Sequence, residues 1–159
     1  MKALVVYDSF YGNTEKVAQA IGAALGAPME VVVRRVGDVA AGDLAELALL
    51  AVGSPTRAFR PTPAINYFLA GIPAGALAGV KVAAFDTRLP AEEAPSPILR
   101  FLVKLLGYAG PAIAKKLVAK GGALALAPEG FYVTGTQGPL REGELERAAE
   151  WAQKIAASL

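Results

Sequence analysis

Three short polar stretches carry the residue types in this chain best suited to chemistry. The first, Asp8-Ser9-Phe10-Tyr11-Gly12-Asn13-Thr14, sets hydroxyls, one glycine and one amide between an apolar run and a helical pattern. A strand feeding a helix through such a turn builds an anion site, because free backbone N–H groups and the positive end of the helix dipole converge there. Ser9, Tyr11, Asn13 and Thr14 can add side-chain hydrogen bonds, so a phosphate suits the turn. The same residues also suit a plain helix cap, with Asn13 or Thr14 closing the first turn. The second stretch, residues 53–61, opens with Gly53-Ser54-Pro55-Thr56. The third is Asp86-Thr87-Arg88-Leu89-Pro90. Each follows an apolar run.

The absent residue types narrow the chemistry further. The chain has no Cys and no His, which excludes a thiol nucleophile, a Ser-His-Asp triad, an imidazole acid–base step and the usual Cys/His zinc site. Chemistry here is expected to come from a bound cofactor. Lys and Arg are scattered and the formal net charge is only +2, so nucleic acid is not expected as a partner.

The polar stretches need elements to position them. With 159 residues, 54% hydrophobic and 19% charged, the chain suits one compact domain, residues 1–159, with a substantial core. Apolar runs at 3–7, 29–35, 47–52, 80–85 and 122–127 read as strands. Helical patterns cover 14–25, with Val17, Ala20, Ile21 and Ala24 on one stripe, and 62–71, 98–106, 112–120 and 142–157. A short, weak helix is expected within 37–45. The last helix is expected to carry its charges, residues 141–150, on an exposed face. Strands alternating with helices predict an α/β fold: a single doubly wound, five-stranded parallel sheet in the order 2-1-3-4-5, covered on both faces. That order brings the three polar stretches to the carboxyl edge of the sheet at its switch point, where open α/β sheets bind ligands. No apolar run reaches the length of a membrane span. With no leader pattern at Met1-Lys2, the protein is expected to be cytoplasmic.

Ser9-Phe10-Tyr11-Gly12-Asn13-Thr14, directly after the first strand and opening the first helix, resembles the phosphate loop of flavodoxins, which reads Thr/Ser-x-Thr-Gly-Asn-Thr. Tyr11 stands where that family usually has a threonine. Val52-Gly53-Ser54-Pro55-Thr56 resembles the second flavin loop more loosely, and the resemblance runs along the whole chain at the length of the short-chain group. It implies flavin mononucleotide, FMN, with its phosphate in the loop formed by Ser9, Phe10, Tyr11, Gly12, Asn13 and Thr14. The isoalloxazine is then expected between Ser54-Pro55-Thr56-Arg57-Ala58-Phe59 and Asp86-Thr87-Arg88-Leu89, with Phe59 as the candidate for stacking. Phe85 reads as core.

The resemblance also implies an electron carrier serving a redox partner protein or a small-molecule acceptor, as a monomer or weak dimer with no catalytic side chain. An NAD(P)H-dependent flavin or quinone reductase of the same superfamily is the alternative, with residues 89–110 walling an acceptor pocket. A fold that has kept its shape and lost tight FMN binding is another. A phosphoacceptor receiver domain fails on position: Gly53-Ser54 stand where it needs an aspartate, and Pro128-Glu129 where it needs a lysine. Flavodoxins are typically acidic, whereas the expected ring loops here carry Arg57, Arg60 and Arg88 with Asp86 as the nearby carboxylate. Cations so placed are expected to make the second reduction potential of a bound flavin less negative than in acidic relatives.

Overall fold

The structure, a computed structural model, describes residues 1–90 and 95–159. Among the described residues, six strands are interspersed with five α-helices. They are β1 (Lys2–Tyr7), α1 (Asn13–Leu25), β2 (Glu30–Arg35), β3 (Leu47–Pro55), α2 (Pro63–Gly71), β4 (Lys81–Arg88), α3 (Pro97–Leu106), α4 (Ala109–Ala119), β5 (Ala123–Leu124), β6 (Glu129–Tyr132) and α5 (Glu144–Ala157). All strand pairings in the sheet are parallel, in the order β2-β1-β3-β4-β5, with β6 also paired to β4. The order 2-1-3-4-5 read from the sequence is the order observed.

Pleating explains why the central strands are apolar throughout. Successive side chains point to opposite faces, and both faces are covered. Ala3 and Val5 of β1 join Leu49, Ala51, Ala83 and Phe85 beneath α1 and α5, where Ile21, Trp151 and Ile155 are buried. Leu4 and Val6 join Leu50, Val52, Val82 and Ala84 beneath α2 and α4, against Ile65, Leu69, Ile113 and Leu117. Trp151 meets Phe85 and Phe131 edge-on, with both pairs of ring centroids 6.2 Å apart, a favoured aromatic geometry.

Three segments depart from the sequence reading. Strands β3 and β4 run three residues past their apolar runs, pairing Gly53 with Phe85, Ser54 with Asp86 and Pro55 with Thr87. The second and third polar stretches therefore begin as sheet. The strand expected at 122–127 is shortened to β5, and β6 follows as a separate strand at 129–132, on the far side of Pro128, which has no N–H to give a ladder. Residues expected as a weak helix at 37–45 form two short 3₁₀ turns, Val36–Asp38 and Ala41–Leu44, since Gly37 and Gly42 disfavour a longer helix.

No apolar run was expected to reach the length of a membrane span, but the segment Pro97–Ala119 has that length and an apolar composition to match. It is interrupted: α3 ends at Gly107, whose φ is 80°, and Tyr108 is extended before α4 begins. Ile113, Ala114 and Leu117 of α4 are buried on the sheet, whereas α3 has no buried residue.

Candidate functional site

The carboxyl ends of β1, β3 and β4 meet around a cavity of about 410 Å³, a volume within the ~300–1,000 Å³ usual for small-molecule sites. Its floor is the turn before α1. Gly12, at φ 88°, makes the left-handed residue on which the helix starts, and no side chain among the described residues caps the first turn. The first backbone bond of the helix is Lys16 N–H to the Gly12 carbonyl, 3.1 Å. The N–H groups of Asn13, Thr14 and Glu15 are therefore without a helical acceptor. The helix-cap alternative is overturned, because the side chains able to cap are engaged elsewhere. Asn13 donates to the Gln137 carbonyl at 3.2 Å, and the Thr14 and Thr87 hydroxyls share a hydrogen bond of 2.8 Å.

The turn is braced from behind. Asp8 accepts the Ser9 N–H at 2.9 Å, and the Ser9 hydroxyl accepts the Gly12 N–H at 3.0 Å. Arg35 donates to the Ser9 carbonyl at 2.9 Å and lies 3.5 Å from Asp8, so the aspartate beside the turn does not stand as an uncompensated charge.

The second polar stretch closes as a tight hairpin. Arg57 and Arg60 exchange backbone hydrogen bonds of 2.9 and 3.0 Å, and the two residues between them, Ala58 at φ 47° and Phe59 at φ 68°, are both left-handed. Non-glycine residues reach that region at a cost of about 1–2 kcal/mol each, so the hairpin holds two costly residues at the cavity wall. Thr56 ties it to α4 by accepting the Ala109 N–H at 3.1 Å. Ser54 is wholly buried and braces the strand end, accepting the Thr62 N–H at 3.0 Å and donating to the Pro55 carbonyl at 2.8 Å.

In the third stretch Arg88 folds back on its own strand. Its Nε and Nη2 each lie 2.6 Å from an oxygen of fully buried Asp86, whose Oδ2 also accepts the Gly110 N–H at 2.7 Å. The guanidinium covers the Tyr108 ring at 3.7 Å from its centroid. Two glycines make room for the pair: a Cβ on Gly110 would stand 2.8 Å from Asp86 Oδ2, and one on Gly130 would overlap the Arg88 guanidinium. Burial pushes the Asp86 carboxyl above its ordinary range, and Arg88 and the Gly110 N–H partly counter that push. A solvent-pointing Arg88 is thereby excluded. Arg57 lies over the Phe10 ring at 4.9 Å, and among the described residues neither Arg57 nor Arg60 has an ion-pair partner.

Most of the expected residues share this one cavity. Ser9, Phe10, Tyr11, Asn13, Thr14, Pro55, Thr56, Arg57, Ala58, Phe59, Thr87, Arg88 and Leu89 line it. Gly12, Ser54 and Asp86 do not: Gly12 shapes the turn, and the other two are buried braces behind the wall. The sequence reading did not find Val133 and Thr136, which also line the cavity, and it placed Tyr108 only as part of the wall expected from 89–110. Leu99 and Val103 supply part of the wall expected from 89–110, and residues 91–94 of that segment lie outside the described residues. No cluster of three or more potential metal ligands occurs among the described residues.

Residues 5–85 match the flavodoxin family model, just over half of the chain. The chain belongs to the flavodoxin family. Its fold is similar to that of a flavodoxin from the domain Archaea, at 26% identity and TM-score 0.73, covering 99% of this chain and 97% of that one. Oxidised flavodoxin 2 from Bacillus cereus is 25% identical, with TM-score 0.76 and all of both chains covered. The flavodoxin of Streptococcus pneumonia TIGR4, at 18% identity, TM-score 0.74 and full coverage of both chains, shares the fold. No curated protein sequence matches the chain. At the level of the family this is an FMN-binding, electron-transfer type of flavodoxin fold.

Proposed function

We propose that this flavodoxin binds FMN in the cavity at the carboxyl edge of its sheet and carries electrons between redox partners. The observation that carries the reading is the uncapped first turn of α1 opening into a cavity that also holds two aromatic walls, Phe59 and Tyr108. FMN, when bound, supplies the one- and two-electron chemistry that no side chain here offers.

The donor set fits a phosphate. The N–H groups of Asn13, Thr14 and Glu15 lie at the positive end of α1. Thr14 and Thr87 have two hydroxyl hydrogens and spend one on each other, leaving one to donate. Phe59 and Tyr108 offer flat apolar surface for a ring, while Leu99 and Val103 limit the access of water. Arg88 brings little net charge to that wall, because Asp86 is bound to it. Arg57 is the cation at the mouth, and the expectation of a less negative second potential now rests on it and Arg60.

Titrating the purified protein with FMN and following its absorption and fluorescence tests the reading. Stoichiometric binding is expected; failure to bind at micromolar FMN would overturn it. Thr14→Val is expected to weaken FMN by roughly tenfold or more, the worth of a hydrogen bond to a charged group, and to change riboflavin affinity much less. Rapid bleaching of the loaded protein by NADH or NADPH alone would replace the carrier with the reductase.

A further inference from the structure

We propose that α3 is a membrane-surface helix by which this protein docks on an anionic lipid bilayer. The inference is independent of the cofactor. Every residue of α3 lies outside the core, although seven of the nine after Pro97, all but Arg100 and Lys104, are apolar. At 100° per residue, Ile98, Phe101 and Leu105 fall within an arc of about 60°. They are 73%, 63% and 67% exposed. Leu99 and Val103 lie on a different arc and line the cavity, so the exposed arc is not the back of a core contact. Exposed apolar groups concentrated this way mark a binding surface.

Charge selects the occupant. Arg100 and Lys104 project from the arc next to the apolar one, and both are exposed. From position 97 to 128 the sequence has no Asp or Glu, against five Lys and Arg. An apolar arc edged by cations without carboxylates is the pattern of a helix lying in a bilayer interface, attracted by anionic headgroups at about fivefold in affinity for each cation near the surface. A second copy of this chain fits less well, because like faces would bring the cations of both copies together. A protein partner would need hot-spot pockets, and side chains exposed by two thirds stand proud of the surface without forming any.

Co-sedimentation with phosphatidylcholine vesicles, with and without phosphatidylglycerol, tests the proposal. Binding is expected only to the anionic vesicles and is expected to weaken as salt rises. Phe101→Ser and Leu105→Ser are expected to lower it roughly tenfold or more each, and the double reversal Arg100→Glu with Lys104→Glu to abolish it. Tyr67→Ser, at a still more exposed site on α2, should leave it unchanged. These side chains add nothing to the core, so near-ultraviolet circular dichroism of Trp151 should be native in each variant. Phe101→Trp gives a second readout, a blue shift of the new indole on anionic vesicles above the fixed emission of buried Trp151. Failure to sediment, equal binding by Phe101→Ser, or a dimer abolished by Phe101→Ser in a protein that ignores vesicles would each overturn the proposal.

Discussion

Arg88 shows how a residue near a ligand site can be present for a reason other than the ligand. Its guanidinium is spent on Asp86 and on the face of Tyr108, so its consequence for the cavity is to hold an aromatic wall in place. A buried carboxylate and its cation stabilise little as a pair, but breaking the pair is costly, by about 3–5 kcal/mol, because it leaves one charge uncompensated. Asp86→Asn is therefore expected to destabilise strongly in urea titrations. The double variant Asp86→Leu with Arg88→Leu is expected to be less destabilised than Asp86→Asn alone, and equal or greater loss in the double would show that the ion pair itself is a net source of stability. This pair was within reach of the sequence, since residues i and i+2 of a strand share a face. It was missed because β4 was expected to end at Phe85, where the apolar run stops. The turn from β1 into α1, by contrast, was legible because its residues are contiguous and its signal is local.

Among the elements, α5 departs most from its sequence pattern. Its charges were expected on an exposed face, yet Glu144 is buried. It accepts the Tyr132 N–H at 2.6 Å and pairs with Arg147 at 2.7 Å, and Arg147 also bonds the Gly130 carbonyl and Glu129. The contacts to Tyr132, Gly130 and Glu129 clamp the helix to β6, and nothing local announces them: they depend on where β6 joins the sheet beyond Pro128. Tyr108 fell inside the segment expected to wall a pocket, but its individual place there was illegible, since it follows from the break between α3 and α4. Burial alone would raise the Glu144 carboxyl. The Arg147 hydrogen bond and charge and the Tyr132 N–H outweigh burial and hold it below the ordinary carboxylate value of 4.5. A carboxyl depressed in the folded state stabilises fully above its unfolded value, and that contribution is lost as pH falls through the folded value. Glu144→Gln is thus expected to cost roughly 1–3 kcal/mol at neutral pH. The gap from the parent should close progressively as pH falls below about 4.5, and a gap independent of pH would show that packing, not charge, is what the substitution removes.

For the whole molecule the decisive fact is that one sheet serves two cores. Alternate residues of β1, β3 and β4 belong to the layer under α1 and α5 or to the layer under α2 and α4. Loosening one layer therefore frees strands on which the other depends. We infer that residues 1–159 unfold as one cooperative domain. The single tryptophan, Trp151, lies in the first layer and reports on it alone by fluorescence, whereas far-ultraviolet circular dichroism reports on all the helices. Ile113→Val, in the second layer, is expected to cost about 0.5–1.5 kcal/mol. If the chain is one unit, it lowers the Trp151 fluorescence midpoint by as much as the dichroism midpoint, although the two residues sit on opposite faces of the sheet. Ile21→Val, in the first layer, should add to it within about 0.5 kcal/mol, because the sites share no contact. A Trp151 transition that ignores Ile113→Val would mean that the layers come apart separately. The switch-point cavity, built from strand ends common to both, would then lose its floor and its wall at different denaturant concentrations.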